Sequence, residues 1–522
     1  MEPLAHEGLG RLLELHGRRT PLALGAEAGA KLLSEKALGD GGALKLGRRK
    51  LALPPQPLGR DTTQPPFLAL SDDSAVLDGA ASHDPRQLLT ALAAAREEAG
   101  WRRLLYTPAV EPAEMPLLAY LGVDLFDSLA AELRGAAGFR LEQGDWIPDA
   151  GATTAGNRKA LAGWLARIRS ALEQGRLREL VERTALHNPR VAQLLHHSRE
   201  LLATRGARRA VEIRAGALSL GHPAVTEWQH SLERFTPPAE EMVLLLLPCS
   251  ARKPYHWSAT HRRFHRTLRE LDNWLALHVV SVTSPLGLVP RELEMLHPAA
   301  HYDVGVTGHW DANERAMFGR QLERLRPEDR YKKAIVHAGS ASGLLAELLR
   351  ERGVEVLETG AERPASGAGL GALRAACRTA LRGVASLSGH DRSRGEAAGL
   401  AQVQFGELAE PLLAAAVQGR WPRLRLEGLA NFSPRIGGFA LTVQGAAALA
   451  AAGGPVVEAA EFQLRGDLFA AGVTGTRGVF RNGEQVAVEQ GGEITAAGIA
   501  RMAPGEMVAM ERGLAVEVRN RG

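Results

Sequence analysis

The fold of this chain follows from the stretch Met242-Val243-Leu244-Leu245-Leu246-Leu247-Pro248-Cys249, because an unbroken apolar run of this length is typical of a buried parallel strand. From Ser258 onward apolar residues recur at helical spacing, and Ser258 stands where a helix N-cap is expected. Cys249 therefore follows a strand and precedes a helix. Loops of this kind carry the chemistry of many α/β enzymes, so we predict an α/β domain with Cys249 at its active edge.

Basic side chains lie close to Cys249 in the sequence: Arg252, Lys253 and His261. Positive charge and a helix N-terminus both favour the thiolate, so this thiol is expected to be a nucleophile at neutral pH. The alternative is a small buried residue, because free cysteines are among the most buried residue types.

The composition is that of an ordinary globular protein with several domains. The chain has 522 residues, 45% hydrophobic and 23% charged, and a net charge of +4 that permits a nucleic-acid partner without requiring one. Cys249 and Cys377 are its two cysteines, which excludes a disulfide framework and a cysteine-rich zinc site. Signal-peptide and membrane-spanning patterns are absent, so we expect a cytoplasmic protein.

Changes of pattern along the chain indicate its organisation. Short strands are predicted at residues 44–53 and 67–70, and a long helix at 158–185 with a break near Gly175. Beyond the proline pair at 237–238, strand-like segments alternate with helical ones, which predicts a parallel sheet. These segments are 242–247, 278–283, 334–337 and 354–357. Glycines separate short β-type runs at 456–464, 478–488 and 514–519, which suggests a small barrel.

The cysteine loop fits the pattern Pro-Cys-x3-Lys-Pro-Tyr-x2-Ser-x2-His at every fixed position. The matching residues are Pro248, Cys249, Lys253, Pro254, Tyr255, Ser258 and His261. On this motif the chain resembles the archaeosine synthase family, the archaeal tRNA-modifying paralogues of tRNA-guanine transglycosylase. Other segments are similar to blocks of that family: 121–128, 284–294, 302–308, 404–406, 439–442, 465–473 and 498–502.

The resemblance implies an α/β multidomain protein with four parts. A degenerate, TIM-barrel-derived transglycosylase-like domain is expected over residues 1–237, and a parallel α/β catalytic core over 238–388. A small α+β domain is expected over 389–453, and a PUA β-barrel, which binds structured RNA, over 454–522.

One departure from the related transglycosylases concerns zinc. Those enzymes carry a cysteine-rich zinc site, whereas residues 145–196 contain no cysteine. The histidines that remain near this region, His187, His196 and His197, are typical of surface or capping positions when no thiolate accompanies them. We therefore predict neither a metal nor another cofactor. Asp124 and Asp127 lie in an apolar segment, so a structural or pocket-edge role is expected of them.

The resemblance also implies the activity. Members of the family act on tRNA that carries 7-cyano-7-deazaguanine at position fifteen of the D-loop, and they add an amine across its nitrile. Cys249 is the expected nucleophile, forming a thioimidate that the amine then displaces. Either Lys253 or His261 protonates the imidate nitrogen, and Tyr255 and Ser258 orient the base or donate hydrogen bonds.

Free lysine is the donor we expect, with glutamine or ammonia as the alternative. A lysine adduct needs a separate radical-SAM partner enzyme, because two cysteines are too few for the cluster of such an enzyme. A homodimer is a further expectation. Contacts to RNA are predicted at Arg252, Arg465, Gly466 and Arg501.

Two other functions remain open at this point. One is base exchange by an ordinary transglycosylase, which the missing zinc cysteines oppose. The other is a non-catalytic tRNA-binding protein, which has no need of a thiol flanked by lysine, tyrosine and histidine.

Overall fold

The computed structural model describes residues 1–15, 17–27, 30–32, 42–46, 49–53, 67–78, 84–208, 211–216, 218–305 and 308–522. The chain forms two compact units. The first contains Met1–Arg209, Pro455–Glu493 and Gly498–Arg519, and the second contains Ala210–Gly454, Ile494–Ala497 and Asn520–Gly522. The N-terminal residues and most of the C-terminal ones thus belong to one unit. The division into four domains stays a prediction.

A five-stranded sheet organises the N-terminal part of the first unit. Its strand order is Leu22–Leu24, Leu125–Asp127, Leu104–Tyr106, Ser74–Asp78 and Phe67–Leu70. Neighbours are parallel except for the last pair, which is antiparallel. This sheet agrees with an α/β class, and its descent from a TIM barrel stays an expectation.

The remaining N-terminal strands form two three-stranded sheets and one antiparallel pair. The first sheet contains Glu2–Glu7, Gly10–Leu15 and Arg18–Arg19, the second contains Ala30–Leu32, Gly42–Leu46 and Arg49–Leu53, and the pair is Phe139–Glu142 with Asp145–Pro148. The helices are Pro85–Ala99, Met115–Tyr120, Leu129–Ala136, Thr154–Gln174, Leu177–Ala185, Pro189–His197 and Arg199–Arg205. The predicted strand at 67–70 is confirmed. The single strand predicted at 44–53 is wrong, because this segment contains two antiparallel strands, Gly42–Leu46 and Arg49–Leu53. The predicted helix break is confirmed too, because Gly175 ends the first helix in the left-handed conformation.

A buried group of charges lies within the first unit. Asp124 is 1% exposed and accepts hydrogen bonds from Arg11 Nε at 3.0 Å and from Arg96 at 2.7 Å. Burial opposes its ionisation, but the two guanidinium groups outweigh burial and hold the pKa of Asp124 below its usual range. Glu506 lies 2.7 Å from His6 Nε2 and 3.9 Å from Arg11. The structural role predicted for Asp124 is confirmed.

The second unit is built on a five-stranded sheet. Its strand order is Gly287–Pro290, Leu277–Thr283, Met242–Pro248, Tyr331–Val336 and Val356–Glu358. The strands are parallel except Gly287–Pro290, which confirms the predicted parallel sheet. Because Met242–Pro248 is the central strand and both its faces are covered, an uninterrupted apolar run suits it.

One face of the central strand packs against two helices. Val243, Leu245 and Leu247 form a core with Phe264 and Cys377, which come from the helices Ala259–Arg269 and Gly367–Ala380. Burial raises the pKa of the Cys377 thiol to about 12. Cys377 is therefore a core residue, and its thiol stays protonated.

Other elements of the second unit surround this sheet. Ile213–Ala215 and Tyr302–Val304 form a separate parallel pair. The additional helices are Pro223–Ser231, Ala312–Leu325, Pro327–Arg330, Ser342–Arg350, Gly389–Phe405, Glu410–Leu413 and Val443–Ala451. An antiparallel sheet contains Val417–Gln418, Arg425–Leu426, Ala430–Ser433 and Gly438–Leu441. This last sheet lies within residues 389–453, and a separate small α+β domain there stays a prediction.

The C-terminal residues form a six-stranded sheet. Its order is Leu468–Phe469, Leu514–Arg521, Glu493–Ala500, Gln485–Gln490, Val456–Ala459 and Val473–Arg477, with a helix at Pro504–Ala509. The small, barrel-like β structure that the sequence predicts for these residues is confirmed. Among the described residues, no helix has both the length and the apolar character that crossing a bilayer requires.

Candidate active site

Cys249 lies at the carboxyl end of the central strand. Its backbone N–H donates to the Val282 carbonyl at 3.1 Å, which continues the ladder to the neighbouring strand by one residue. The next strand of this sheet along the chain, Leu277–Thr283, pairs with one edge of the central strand, whereas Tyr331–Val336 pairs with its other edge. Parallel sheets bind ligands at such a switch point, so the half-buried, free thiol of Cys249 stands where a substrate is expected.

The end of the cysteine loop is held by a helix cap. Ser258 precedes the helix Ala259–Arg269, and its hydroxyl accepts a hydrogen bond from the His261 N–H at 3.1 Å. This confirms the predicted N-cap. Ser258 is 4% exposed, so its hydroxyl is committed to the helix rather than presented to a substrate.

Lys253 is brought to Cys249 by the fold. Its Nζ lies 4.1 Å from the centre of the Tyr302 ring, a cation–π distance. Burial lowers the pKa of Lys253, and the charges of Cys249, Asp303 and Glu212 act in the opposite direction. The pKa of Lys253 is therefore below that of an ordinary lysine, and its charge interacts with that of Cys249.

Three buried hydroxyl groups form a chain behind this pair. The Thr283 hydroxyl donates to the Ser284 carbonyl at 3.1 Å and lies 2.5 Å from the Tyr302 hydroxyl. Tyr302 is in turn hydrogen-bonded to Tyr255. Because the Thr283 proton is committed to Ser284, Tyr302 donates to Thr283 and accepts from Tyr255. Tyr255 is 0% exposed and Tyr302 3% exposed, and burial raises the pKa of both phenols, so they remain neutral.

His261 is buried beneath the loop. Its Nε2 lies 3.0 Å from the Pro248 carbonyl oxygen, and its ring stacks on Tyr255 with centroids 5.4 Å apart. A carbonyl only accepts hydrogen bonds, so Nε2 carries the proton and Nδ1 is bare. Among the described residues Nδ1 has no hydrogen-bond partner. Burial lowers the pKa of His261 to about 4, which makes the ring neutral at physiological pH.

A second network holds the turn Tyr255–Trp257. Glu294, 1% exposed, accepts from the His256 backbone N–H at 3.1 Å and lies 2.5 Å from His256 Nδ1. The His256 ring also contacts Trp421 edge to face at 4.8 Å. Trp257 beside it stays 49% exposed. The indole of Trp257 is thus the large aromatic surface that this turn offers to solvent.

Sequence patterns assigned no role to Tyr302, Thr283, Glu294 or Glu212. Tyr302 reaches Lys253 because its strand pairs with Ile213–Ala215, and no local pattern predicts that pairing. Glu212 precedes the same strand, within residues that the sequence divided from the catalytic core. Both contributions depend on tertiary structure.

The residues predicted to contact RNA differ in their surroundings. Arg252 is exposed in the cysteine loop. Arg465 and Gly466 are exposed in the first unit, where Arg465 Nε donates to Gln463 at 2.9 Å. Arg501 Nε donates to Glu517 at 2.9 Å, so its charge already has a counterion.

The histidines of the N-terminal region lie at or near the surface. His187 pairs with Asp145 at 3.2 Å, and His196 and His197 contact each other edge to face at 5.4 Å. Within the described ranges, no three histidine, cysteine, aspartate or glutamate side chains gather closely enough to hold a metal ion.

Known proteins resemble the chain over nearly its whole length. An archaeosine synthase subunit alpha from Methanosarcina acetivorans is 30% identical over 98% of this chain and 88% of its own length. The chain belongs to the archaeosine synthase family. An archaeosine synthase from Haloferax volcanii is likewise 30% identical, over 80% of this chain and 76% of its own.

Two domain families match parts of the chain. A domain of unknown function covers residues 225–377, which include the cysteine loop, and the PUA domain covers 457–521. The PUA domain expected at the C-terminus is thereby confirmed. A crystal structure of a protein of unknown function is 26% identical, covers 56% of this chain and 97% of that chain, and has a TM-score of 0.43. Membership of the archaeosine synthase family confirms the expected enzyme class, a tRNA-modifying transferase.

Proposed function

We propose that the protein adds an amine, free lysine, to the nitrile of 7-cyano-7-deazaguanine in tRNA. The observation that carries the proposal is the electrostatic interaction between Cys249 and Lys253 in one loop at the carboxyl end of the central strand. A nucleophile and a proton donor side by side are what addition to a nitrile requires.

Covalent addition is the first step. The Cys249 thiolate forms a bond to the nitrile carbon, one carbon–nitrogen π bond breaks, and its electron pair moves to nitrogen. The Lys253 ammonium gives that nitrogen a proton, which leaves a thioimidate and a neutral lysine. The lowered pKa of Lys253 supports this transfer, because a weaker cationic acid would hold its proton at neutral pH.

Displacement is the second step. The donor amine attacks the thioimidate carbon, the neutral Lys253 takes up a proton that the attacking nitrogen loses, and the carbon–sulfur bond breaks. Cys249 leaves as a thiolate and the product is an amidine that contains every atom of the donor. No oxidant and no nucleotide is consumed, and both side chains return to their starting forms.

His261 supports the site in a different way. The charged groups that act most on its pKa are Glu294, Arg291 and His256 rather than Cys249, and its Nε2 proton is bonded to Pro248. A neutral, 1% exposed ring is a poor acid for the imidate nitrogen. We therefore assign the proton transfers to Lys253 and assign His261 the positioning of the residue before Cys249.

The PUA domain supports tRNA as the substrate, since family membership and this domain occur together in one chain. Free lysine is proposed over glutamine because the chain has no segment that resembles an amidotransferase. The lysine adduct would then pass to a separate radical-SAM enzyme. We place the reaction in the cytoplasm.

Mass analysis of the tRNA tests this function. Purified protein is incubated with nitrile-bearing tRNA and lysine, glutamine or ammonium in separate reactions. We expect a mass increase of one lysine in the first reaction alone. Incorporation of labelled guanine would instead identify base exchange, and an unchanged tRNA mass with every donor would show that the assignment is wrong.

A further inference from the structure

A cavity of about 370 Å³ lies in the first unit, away from the cysteine loop in sequence. It is formed by the last turns of the helix Thr154–Gln174 and by the helix Leu177–Ala185. Its polar lining comprises Arg167, Ser170, Gln174, Arg176, Glu179 and Arg183. Three guanidinium groups against one carboxylate give the cavity a positive charge.

Most polar groups of the cavity have protein partners. Arg176 lies 3.2 Å from Glu179, and the Gln174 amide donates to the Ser170 hydroxyl at 2.9 Å. Arg167 donates to the Gln143 side chain at 3.1 Å. These contacts fix the walls of the cavity and neutralise one of its three positive charges.

Arg183 is different. In the part of the chain that the structure describes, its guanidinium makes no hydrogen bond and no ion pair within 4.0 Å. Burial lowers the pKa of Arg183 and the positive charge of Arg167 lowers it further, whereas the charge of Asp145 acts in the opposite direction. Arg167 and Arg183 thus face one cavity, and among the described residues neither guanidinium pairs with a carboxylate within 4.0 Å. An anion bound between them would be stabilised by both charges.

The helix N-terminus at this place does not supply the anion site. The first amides of Leu177–Ala185, those of Leu177 and Arg178, already donate to the Glu7 carboxylate at 2.7 Å and 2.9 Å. An incoming anion would accordingly be bound by side chains. Guanidinium groups bind phosphate through two parallel hydrogen bonds, which makes phosphate the best-fitting anion.

We propose that the Arg167–Arg183 cavity binds a backbone phosphate of the tRNA substrate. The inference rests on tRNA being the substrate and assigns the N-terminal region a direct contact with it. Phosphate contacts position an RNA without reading its sequence, so this cavity contributes affinity and register.

Salt-dependent binding tests the proposal. The affinity of full-length protein for an unmodified tRNA transcript is measured at several potassium chloride concentrations. We expect Arg183→Gln and the double variant Arg167→Gln/Arg183→Gln to weaken binding several-fold. Each lost phosphate contact should also lower the slope of log Kd against log salt by about 1.

Arg140→Gln is the matched control. Arg140 is an exposed arginine of the same unit, but it pairs with Glu142 at 2.7 Å and Asp149 at 3.0 Å. The variant Arg140→Gln should leave both the tRNA affinity and the slope of log Kd against log salt near those of the parent. Thermal unfolding of all variants checks that each is folded.

Two results would overturn the proposal. One is a double variant with the parent's affinity and slope. The other is that the variants lose binding of inorganic phosphate but keep the tRNA binding of the parent, which would make the cavity a site for small phosphates. Modification assays on the same proteins separate the two proposals, because failure of the chemistry leaves the salt slopes unaffected.

Discussion

At the scale of single residues, the two cysteines show how surroundings decide reactivity. Cys249 is half-buried at a strand end beside Lys253, whereas Cys377 is 0% exposed in the core. We expect Cys249→Ser to reduce tRNA modification below a few per cent of the parent rate and to leave tRNA affinity unchanged. Rates come from mass analysis and affinities from direct titration.

Cys377→Ala is the control for that variant. It should leave the modification rate near the parent value once differences in folding stability are corrected. Alkylation with iodoacetamide at neutral pH should label Cys249 in the parent and nothing in Cys249→Ser. A Cys249→Ser protein with substantial activity would disprove the nucleophile assignment.

The lowered pKa of Lys253 predicts how the rate of the reaction depends on pH. Its ammonium is the proton donor, so kcat/KM should fall as pH rises through its pKa. Because burial lowers that pKa, the alkaline fall should be centred below 10.5, the ordinary value for lysine. The pH profile of kcat/KM measures it directly, and Lys253→Arg should lower kcat/KM strongly at every pH because arginine stays protonated and cannot give up the proton.

Tyr302 separates the roles of ring and hydroxyl. Tyr302→Phe keeps the ring beneath Lys253, so we expect a loss of activity of roughly tenfold or less. Tyr302→Leu exposes Lys253 and should move the alkaline fall of kcat/KM to higher pH, with a loss of about a hundredfold. A profile that stays in place in Tyr302→Leu would limit Tyr302 to a packing role.

At the scale of elements, local patterns predicted what local interactions build. The apolar run before Cys249, the Ser258 cap and the break at Gly175 are each encoded within a few neighbouring residues. The strand Tyr302–Val304 is different, since its partner begins at Ile213. Long-range pairing of short strands leaves no local signal, which is why Tyr302 was not predicted as part of the site.

His261, on the helix Ala259–Arg269, makes the free energy of unfolding sensitive to acid. Burial lowers the pKa of His261 to about 4 in the folded protein, against 6.5 in an unfolded chain. The unfolded state then binds the extra proton first, so the folded state loses stability as pH falls from 6.5 towards 4. The full contribution is on the order of 3 kcal/mol.

Denaturant unfolding at pH 7 and pH 5 measures this effect. The parent should be less stable at pH 5, and His261→Gln should reduce the difference between the two values because it removes the titrating ring. An equal difference in both proteins would assign the acid sensitivity to other groups.

Substitutions of two glycines among the C-terminal residues should have opposite effects on folding stability and on KM for tRNA. A Cβ on Gly466 meets nothing within 4 Å, whereas a Cβ on Gly498 lies 2.5 Å from the Glu517 carbonyl oxygen. Gly466→Leu should therefore keep the parent Tm and raise KM for tRNA several-fold if backbone and phosphate approach closely there. Gly498→Ala should instead lower Tm, with little change in KM at temperatures where it is folded.

Steady-state kinetics and thermal unfolding of both variants decide the matter. Arg512→Gln, at another exposed position of the barrel, is the control for a general surface effect. An unchanged KM in Gly466→Leu would remove this turn from the RNA-binding surface.

At the scale of the whole molecule, the sequence predicts the individual α/β and β structures better than it predicts which of them share one compact unit. The α/β core and the C-terminal barrel follow from strand periodicity and glycine spacing. Their grouping does not, because the N-terminal region and the barrel share one unit through contacts between distant residues. His6 and Glu506, 500 positions apart, form one of these contacts.

That ion pair has a consequence for synthesis on the ribosome. Glu506 is translated 500 positions after His6. At about 5–20 residues per second, the histidine waits roughly 25–100 s for its carboxylate. The first unit therefore cannot be completed as its N-terminal strands emerge. Their final packing follows the synthesis of Glu506.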